Sequence, residues 1–282
     1  MKTKVLVTGA NGQLGQCLQL LASQSDFEFT FFSSASLDIT SKKNINKTFN
    51  ASYNFCINCA AYTAVDKAES EEDKANLINN IAVKHIAEAC KQHNITLIHI
   101  STDFVFNGNA KQPYTEIDET NPLSVYGKTK LKGELAIKKI LTNYYIIRTS
   151  WLYSQFGNNF LKSMLNLAKK RNKLSIVNDQ IGTPTYAVDL ADVILELIKQ
   201  NNNYGLYHYS NNGVASWFDF ANAIFTKNKN NIKLEPIPTS AYPTAAKRPH
   251  YSVLDKSKLI NNFSIKVPKW EESLDKCLKA LF

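Results

Sequence analysis

The chain begins with a short β-branched run, Lys4-Val5-Leu6-Val7-Thr8, followed at once by Gly9-Ala10-Asn11-Gly12-Gln13-Leu14-Gly15 and an apolar-periodic stretch. A strand that turns directly into a helix leaves the first backbone N–H groups of that helix unpaired, and they form an anion site. Gly9 permits the tight turn, Gly12 lets the backbone come close to a pyrophosphate, and Gly15 lets the helix lie against the strand. This order of strand, glycines and helix predicts a dinucleotide-binding β-α-β unit, and therefore a parallel sheet.

The rest of the first half keeps the rhythm. Strands are expected at Val5–Thr8, Phe27–Phe32, Phe55–Cys59, Thr96–Ser101 and Tyr144–Thr149. Helices are expected at Leu14–Gln24, Lys42–Phe49, Glu71–Gln92 and Val125–Leu141, the last capped by Ser124. After Trp151 the alternation becomes irregular, with helices at Asn159–Lys170, Val188–Gln200, Trp217–Thr226 and Trp270–Leu281 and a proline-rich loop from Pro236 to Pro249. The fold class is α/β: a doubly wound parallel sheet over residues 1–150 and a smaller α+β substrate-binding part over 151–282, with a crossover back to the first part around 185–200.

The second half of the second strand, Phe31-Phe32-Ser33-Ser34, has no carboxylate to hold a ribose 2′-hydroxyl. Small hydroxyls there tolerate a 2′-phosphate, so NADPH is the expected cofactor and NADH the alternative.

Composition narrows the function classes. The formal charge of +9 raises nucleic acid as a partner, but the lysines are spread in pairs along helix faces, and neither nucleic acid nor membrane is expected. No apolar run reaches the ~20 residues of a membrane span; even Val193–Ile198 is interrupted by Glu196. Five scattered cysteines point to a reducing cytoplasm. Cys56 and Cys59 make a C-x-x-C inside a strand, where residues three apart face opposite sides, so a metal or redox pair is not expected.

The chemistry is carried by Tyr126-Gly127-Lys128-Thr129-Lys130, downstream of Ser101-Thr102-Asp103. Tyr126 and Lys130 are four residues apart, so on a helix they share one face. An ammonium near a phenol lowers its pKa from about 10 toward the range of efficient acid–base catalysis. Lys130 would also hold a nicotinamide ribose. Thr102, at the C-terminal end of a parallel strand, can hydrogen-bond a substrate oxygen. These residues point to hydride transfer at a carbonyl.

With these motifs the chain resembles the extended short-chain dehydrogenase/reductases, whose fingerprint pairs Thr-Gly-x-x-Gly-x-x-Gly with Tyr-x-x-x-Lys. More narrowly it resembles the dTDP-4-dehydrorhamnose reductase family, in Asn58–Glu69, Ser101–Phe106, Asn121–Lys130, Arg148–Trp151, Asn178–Thr185 and around Arg248-Pro249. The resemblance implies a Rossmann-like fold and NAD(P)H-dependent reduction of the 4-keto group of dTDP-4-dehydro-β-L-rhamnose. It implies Tyr126, Lys130 and Thr102 as catalytic residues. It also implies Gly9, Gly12, Gln13, Leu14, Gly15, Asp38, Ile39, Ala61, Tyr62 and Thr63 around the cofactor. Thr102, Asp103, Trp151 and Arg248 would meet the sugar nucleotide, with a junction-core role for Trp151 and a plain surface role for Arg248 as the other readings. Some members of the family bridge a dimer with a metal held by acidic residues. The matching positions here are Cys17 and Val188, so no metal is expected, and a monomer or a differently built homodimer is allowed. Two rival functions stay open: another nucleotide-sugar 4-ketoreductase or 4-epimerase, and a non-catalytic dinucleotide-binding regulatory subunit, which has no need of Tyr126.

Overall fold

A computed structural model describes residues 2–282. In chain order the elements are β1 (Lys4–Thr8), α1 (Gln13–Ala22), β2 (Glu28–Phe32), α2 (Lys42–Thr48), β3 (Phe55–Asn58), α3 (Val65–Ala68), α4 (Glu72–Asn76), a π-turn (Leu77–Ile81), α5 (Ala82–Gln92), β4 (Thr96–Thr102), α6 (Val125–Ile140) and β5 (Tyr144–Thr149). There follow β6 (Leu152–Tyr153), α7 (Phe160–Ala168), β7 (Lys173–Val177), β8 (Ile181–Gly182), β9 (Thr185–Tyr186), α8 (Ala187–Gln200), β10 (Gly205–His208), β11 (Ala215–Ser216), α9 (Trp217–Lys227), β12 (Lys233–Ile237), α10 (Ser257–Phe263) and α11 (Trp270–Leu281).

Six strands form one sheet in the order β10-β5-β4-β3-β1-β2, and every pairing is parallel. The order reverses between β1 and β3, which opens a crevice at the C-terminal strand ends. Because parallel strands are covered on both faces, β1, β3 and β4 read as nearly unbroken buried runs. One face packs Leu6, Cys56, Leu97 and Ile146 against α2, α5 and α6. The other packs Val5, Ile57, Ile98 and Ile147 against α1 and α8. Cys56 lies in the first of these cores and Cys59 packs on the second, so the two sulfurs diverge as the strand period requires.

The structure adds short elements that the sequence reading did not place, α3, α10 and the strands β6, β7, β8, β9, β11 and β12, and two differences bear on the site and the main sheet. The stretch 71–92 is not one α-helix: a π-turn at Leu77–Ile81 separates α4 from α5. Asn79 lies within this turn, and its buried side chain holds the backbone of Tyr62 at both its N–H (2.9 Å) and its carbonyl (3.1 Å). The irregular region after Asn203 also contains a strand, β10, which pairs with β5 and completes the main sheet. Its four residues carry no alternation long enough to announce it.

A third core, separate from the sheet, gathers Tyr153, Leu161, Phe220, Ile224, Trp270 and Leu274 from β6, α7, α9 and α11. Helix α8 serves both lobes, packing its apolar face on α1 while β9, just before it, pairs with β6. Among the described residues no helix is long and apolar enough to cross a membrane.

Candidate active site

The crevice at the strand ends is a cleft of about 710 Å³ between the sheet and the third core. Its floor begins with the glycine loop. Gly9 has φ +68°, and a Cβ there would stand 2.6 Å from the Ala60 nitrogen. A Cβ on Gly15 would stand 2.4 Å from the Gly9 carbonyl oxygen. These two glycines therefore shape the loop without lining the cleft, whereas Gly12, Gln13 and Leu14 line it. The Gln13 amide faces the other lobe: its Oε1 accepts from Asn159 Nδ2 (2.8 Å) and Ser154 Oγ (3.2 Å).

Ala61 and Thr63 line the next part of the wall, but the Tyr62 side chain does not. Asn79 holds the Tyr62 backbone, and its phenol turns away to donate to Glu71 Oε2 at 3.0 Å. Asp38 and Ile39 also lie outside the lining: Asp38 is exposed and accepts from the Thr40 N–H and hydroxyl, while Ile39 is buried in the α2 core.

The chemical residues converge. Thr102 and Asp103 leave the end of β4, and Tyr126 and Lys130 come from the first turns of α6, which starts where Ser124 Oγ accepts from the Gly127 N–H at 3.1 Å. All four line the cleft. Gly127 is obligatory there, because a Cβ would sit 2.2 Å from the Phe104 carbonyl oxygen. Phe104 packs edge-on to Tyr126, with ring centroids 5.7 Å apart.

One expectation needs correction. Tyr126 is not acidified: burial raises its phenol to about 12, against the pull of a hydrogen bond to Thr102. Lys130 is turned elsewhere. Its Nζ donates to the Ile100 carbonyl at 2.5 Å and lies 3.3 Å from His99 Nε2. Burial holds Lys130 down at about 8, opposed by the charge of Glu134.

Asp103 is 2 % exposed, and burial pushes its carboxyl up to about 6. Its Oδ1 accepts from the Thr102 hydroxyl at 3.0 Å, while Oδ2 has no partner, as is true of the buried Thr149 Oγ1 nearby. Unsatisfied buried oxygens in a cleft are acceptors and donors waiting for a polar ligand.

The far wall is aromatic. Trp151, with φ +45°, lies face to face with Trp217 at 3.6 Å, and Gly182 leaves room for it, since a Cβ there would meet the indole at 2.7 Å. Trp217 Nε1 donates to Gln180 Oε1 at 3.2 Å. Arg248 reaches the cleft rim from the proline-rich loop and forms a two-pronged ion pair with Asp66, at 2.7 and 3.1 Å. Sequence reasoning did not single out Trp217, Asn79 or His99, and it met Asn58 and Gln180 only inside family-like stretches, with no role assigned, because their roles arise from contacts across the fold.

At the two positions set against the family's metal site, Cys17 is fully buried against the sheet and Val188 packs between two cores. Among the described residues no cluster of three His, Cys, Asp or Glu could hold a metal ion.

A parallel sheet with a glycine loop, a Tyr-x-x-x-Lys helix and a threonine at a strand end in one cleft defines an extended short-chain dehydrogenase/reductase. Comparison with known proteins narrows this. The family described as RmlD substrate binding domain matches residues 3–282. The dTDP-4-dehydrorhamnose reductase of Aggregatibacter actinomycetemcomitans is 40% identical over 96% of this chain and 97% of its own. Among solved structures, a dTDP-4-dehydrorhamnose reductase from Clostridium acetobutylicum matches with a TM-score of 0.95 and 46% identity over 99% of both chains. One from Bacillus anthracis, in complex with NADP, matches with a TM-score of 0.96 and 40% identity over 99% of this chain and 100% of that one. The chain belongs to the dTDP-4-dehydrorhamnose reductase family.

Proposed function

We propose that this protein uses NADPH, with NADH as the alternative, to reduce the 4-keto group of dTDP-4-dehydro-β-L-rhamnose to dTDP-L-rhamnose. The observation that carries the reading is the meeting of Gly12, Tyr126, Thr102 and Lys130 in one cleft. The glycine loop fits a dinucleotide because Gly9 and Gly15 leave no room for a Cβ and keep the backbone N–H groups at the cleft. Gly12, Gln13 and Leu14 would hold the pyrophosphate, Asp38 and Ile39 would border the adenine side, and Ala61 and Thr63 the inner part. When bound, the cofactor supplies the hydride.

The chain's own residues supply the rest. A phenol held near 12 is protonated at neutral pH, which is the state a proton donor to the forming alkoxide requires. Thr102 hydrogen-bonds the same oxygen. Asp103 Oδ2 accepts from a sugar hydroxyl, and Lys130 holds the ribose. Trp151 offers an indole face to the sugar nucleotide, and Arg248 faces its diphosphate. In this reading residues 1–150 mainly hold the cofactor and 151–282 mainly the substrate. The protein works in the cytoplasm as a monomer or a homodimer without a shared metal, since neither Cys17 nor Val188 offers a carboxylate.

The test is NADPH consumption with the keto sugar nucleotide generated in situ, followed by nuclear magnetic resonance of the product. Turnover to the rhamno product supports the reading; the opposite configuration at carbon 4, or no turnover, overturns it.

A further inference from the structure

Thr8, Asn58 and His99 stand side by side on three neighbouring strands, because the register pairs Thr8 with Asn58 and Asn58 with His99. All three are at most 1 % exposed, a polar row in an otherwise apolar sheet. Thr8 Oγ1 donates to Asn58 Oδ1 at 2.6 Å, Asn58 Nδ2 lies 3.0 Å from His99 Nδ1, and His99 Nε2 lies 3.3 Å from Lys130 Nζ. The row therefore ends on a lysine that lines the cleft.

Donor and acceptor counting makes this row more than packing. An ammonium only donates, so a charged Lys130 needs a bare His99 Nε2. The ring proton must then sit on Nδ1 and point at the Asn58 oxygen, which leaves the Asn58 NH₂ facing a Thr8 hydroxyl that accepts. The arrangement in the structure is the reverse: the Asn58 nitrogen faces His99 Nδ1, so Nε2 carries the proton and suits an uncharged amine. Half a turn of one amide converts one wiring into the other. The other groups facing Lys130 are Glu134, whose charge favours the ammonium, Cys59, whose thiol burial keeps protonated, and Tyr126 on the preceding turn.

We propose that His99, steered by Asn58 and Thr8, is a positioning residue that aims Lys130 and locks its charge to the hydrogen-bond setting of this row. The inference rests on the reading of Lys130 as part of the reductase site.

Its first test needs no cofactor. Nitrogen-15 shifts of the His99 imidazole, assigned by comparison with His99→Gln, report the tautomer in the ligand-free protein. The proton is expected on Nδ1 at low pH and on Nε2 at high pH, changing as Lys130 titrates. A single tautomer across the range of about pH 6 to 10 overturns the proposal. In the second test, His99→Leu removes the acceptor and should move the alkaline limb of kcat/KM down by about one pH unit, while His99→Gln, whose amide oxygen can accept, restores it. An unmoved limb in a folded, active Leu variant also overturns it. A tautomer that switches in a protein without reductase activity would overturn the proposed function while showing that the row and the Lys130 charge are coupled, so the two failures are told apart.

Discussion

The indoles of Trp151 and Trp217 lie 3.6 Å apart and within 8° of parallel, although one stands in the bend between β5 and β6 and the other starts α9. Gln180 fixes the second ring and Gly182 makes space for the first, so the Asn-Asp-Gln-x-Gly stretch builds an aromatic wall. Replacing Trp217 by Ala removes the stacking partner, worth about 0.5–1.5 kcal/mol beyond area. We expect KM for the sugar nucleotide to rise up to about tenfold, with NADPH affinity measured by fluorescence titration unchanged.

Tyr126→Phe keeps the shape and removes the proton. Turnover should fall by about 10²–10⁴, and equilibrium binding of NADPH should stay within about twofold. Steady-state kinetics and titration separate the two; undiminished turnover would remove Tyr126 from the reaction.

Asp103 gives a pH-dependent prediction of opposite sign for stability and activity. Its carboxyl is raised to about 6 in the folded protein, above the ordinary carboxylate value of about 4. The folded state therefore holds the proton more tightly, and this contribution to stability is lost as pH rises from about 4 through 6. At neutral pH the buried carboxylate is destabilising. Asp103→Asn should raise stability there by about 1–3 kcal/mol, read as a higher Tm at pH 7.5 but not at pH 4, and should lower kcat/KM.

Glu134 is fully buried and pairs with Arg148 through two contacts, 2.7 and 2.9 Å, while also accepting from Ser101. Glu134→Leu leaves the buried Arg148 guanidinium without its countercharge. Denaturant unfolding should show a loss of about 3–5 kcal/mol.

Alkaline activity follows Lys130, held at about 8 by burial. If the ammonium is the working form, kcat/KM falls as pH rises through that value. A rate that stays flat to about pH 10 would show that the charge is not needed.

The sheet and its glycine loop were legible because short buried strands alternate with amphipathic helices, a pattern fixed by local period. The cleft residues Tyr126, Lys130, Thr102 and Asp103 were legible because helix spacing and strand-end position place them. What escaped was set by distant contacts. The π-turn carries Asn79, whose hold on Tyr62 is a long-range contact, β10 is four residues recruited to an edge, and the tilt of Lys130 toward Ile100 and His99 depends on a register between strands. The expected lowering of the Tyr126 phenol by Lys130 is outweighed by burial, and the lysine is turned to the Ile100 carbonyl and His99 instead.

The return of the chain through α8 and β10 makes the two lobes inseparable as cassettes. A fragment ending at residue 150 would expose the outer edge of β5 and strip α1 of its covering helix, so grafting a new cap onto this body must keep that later helix and strand as part of the recipient.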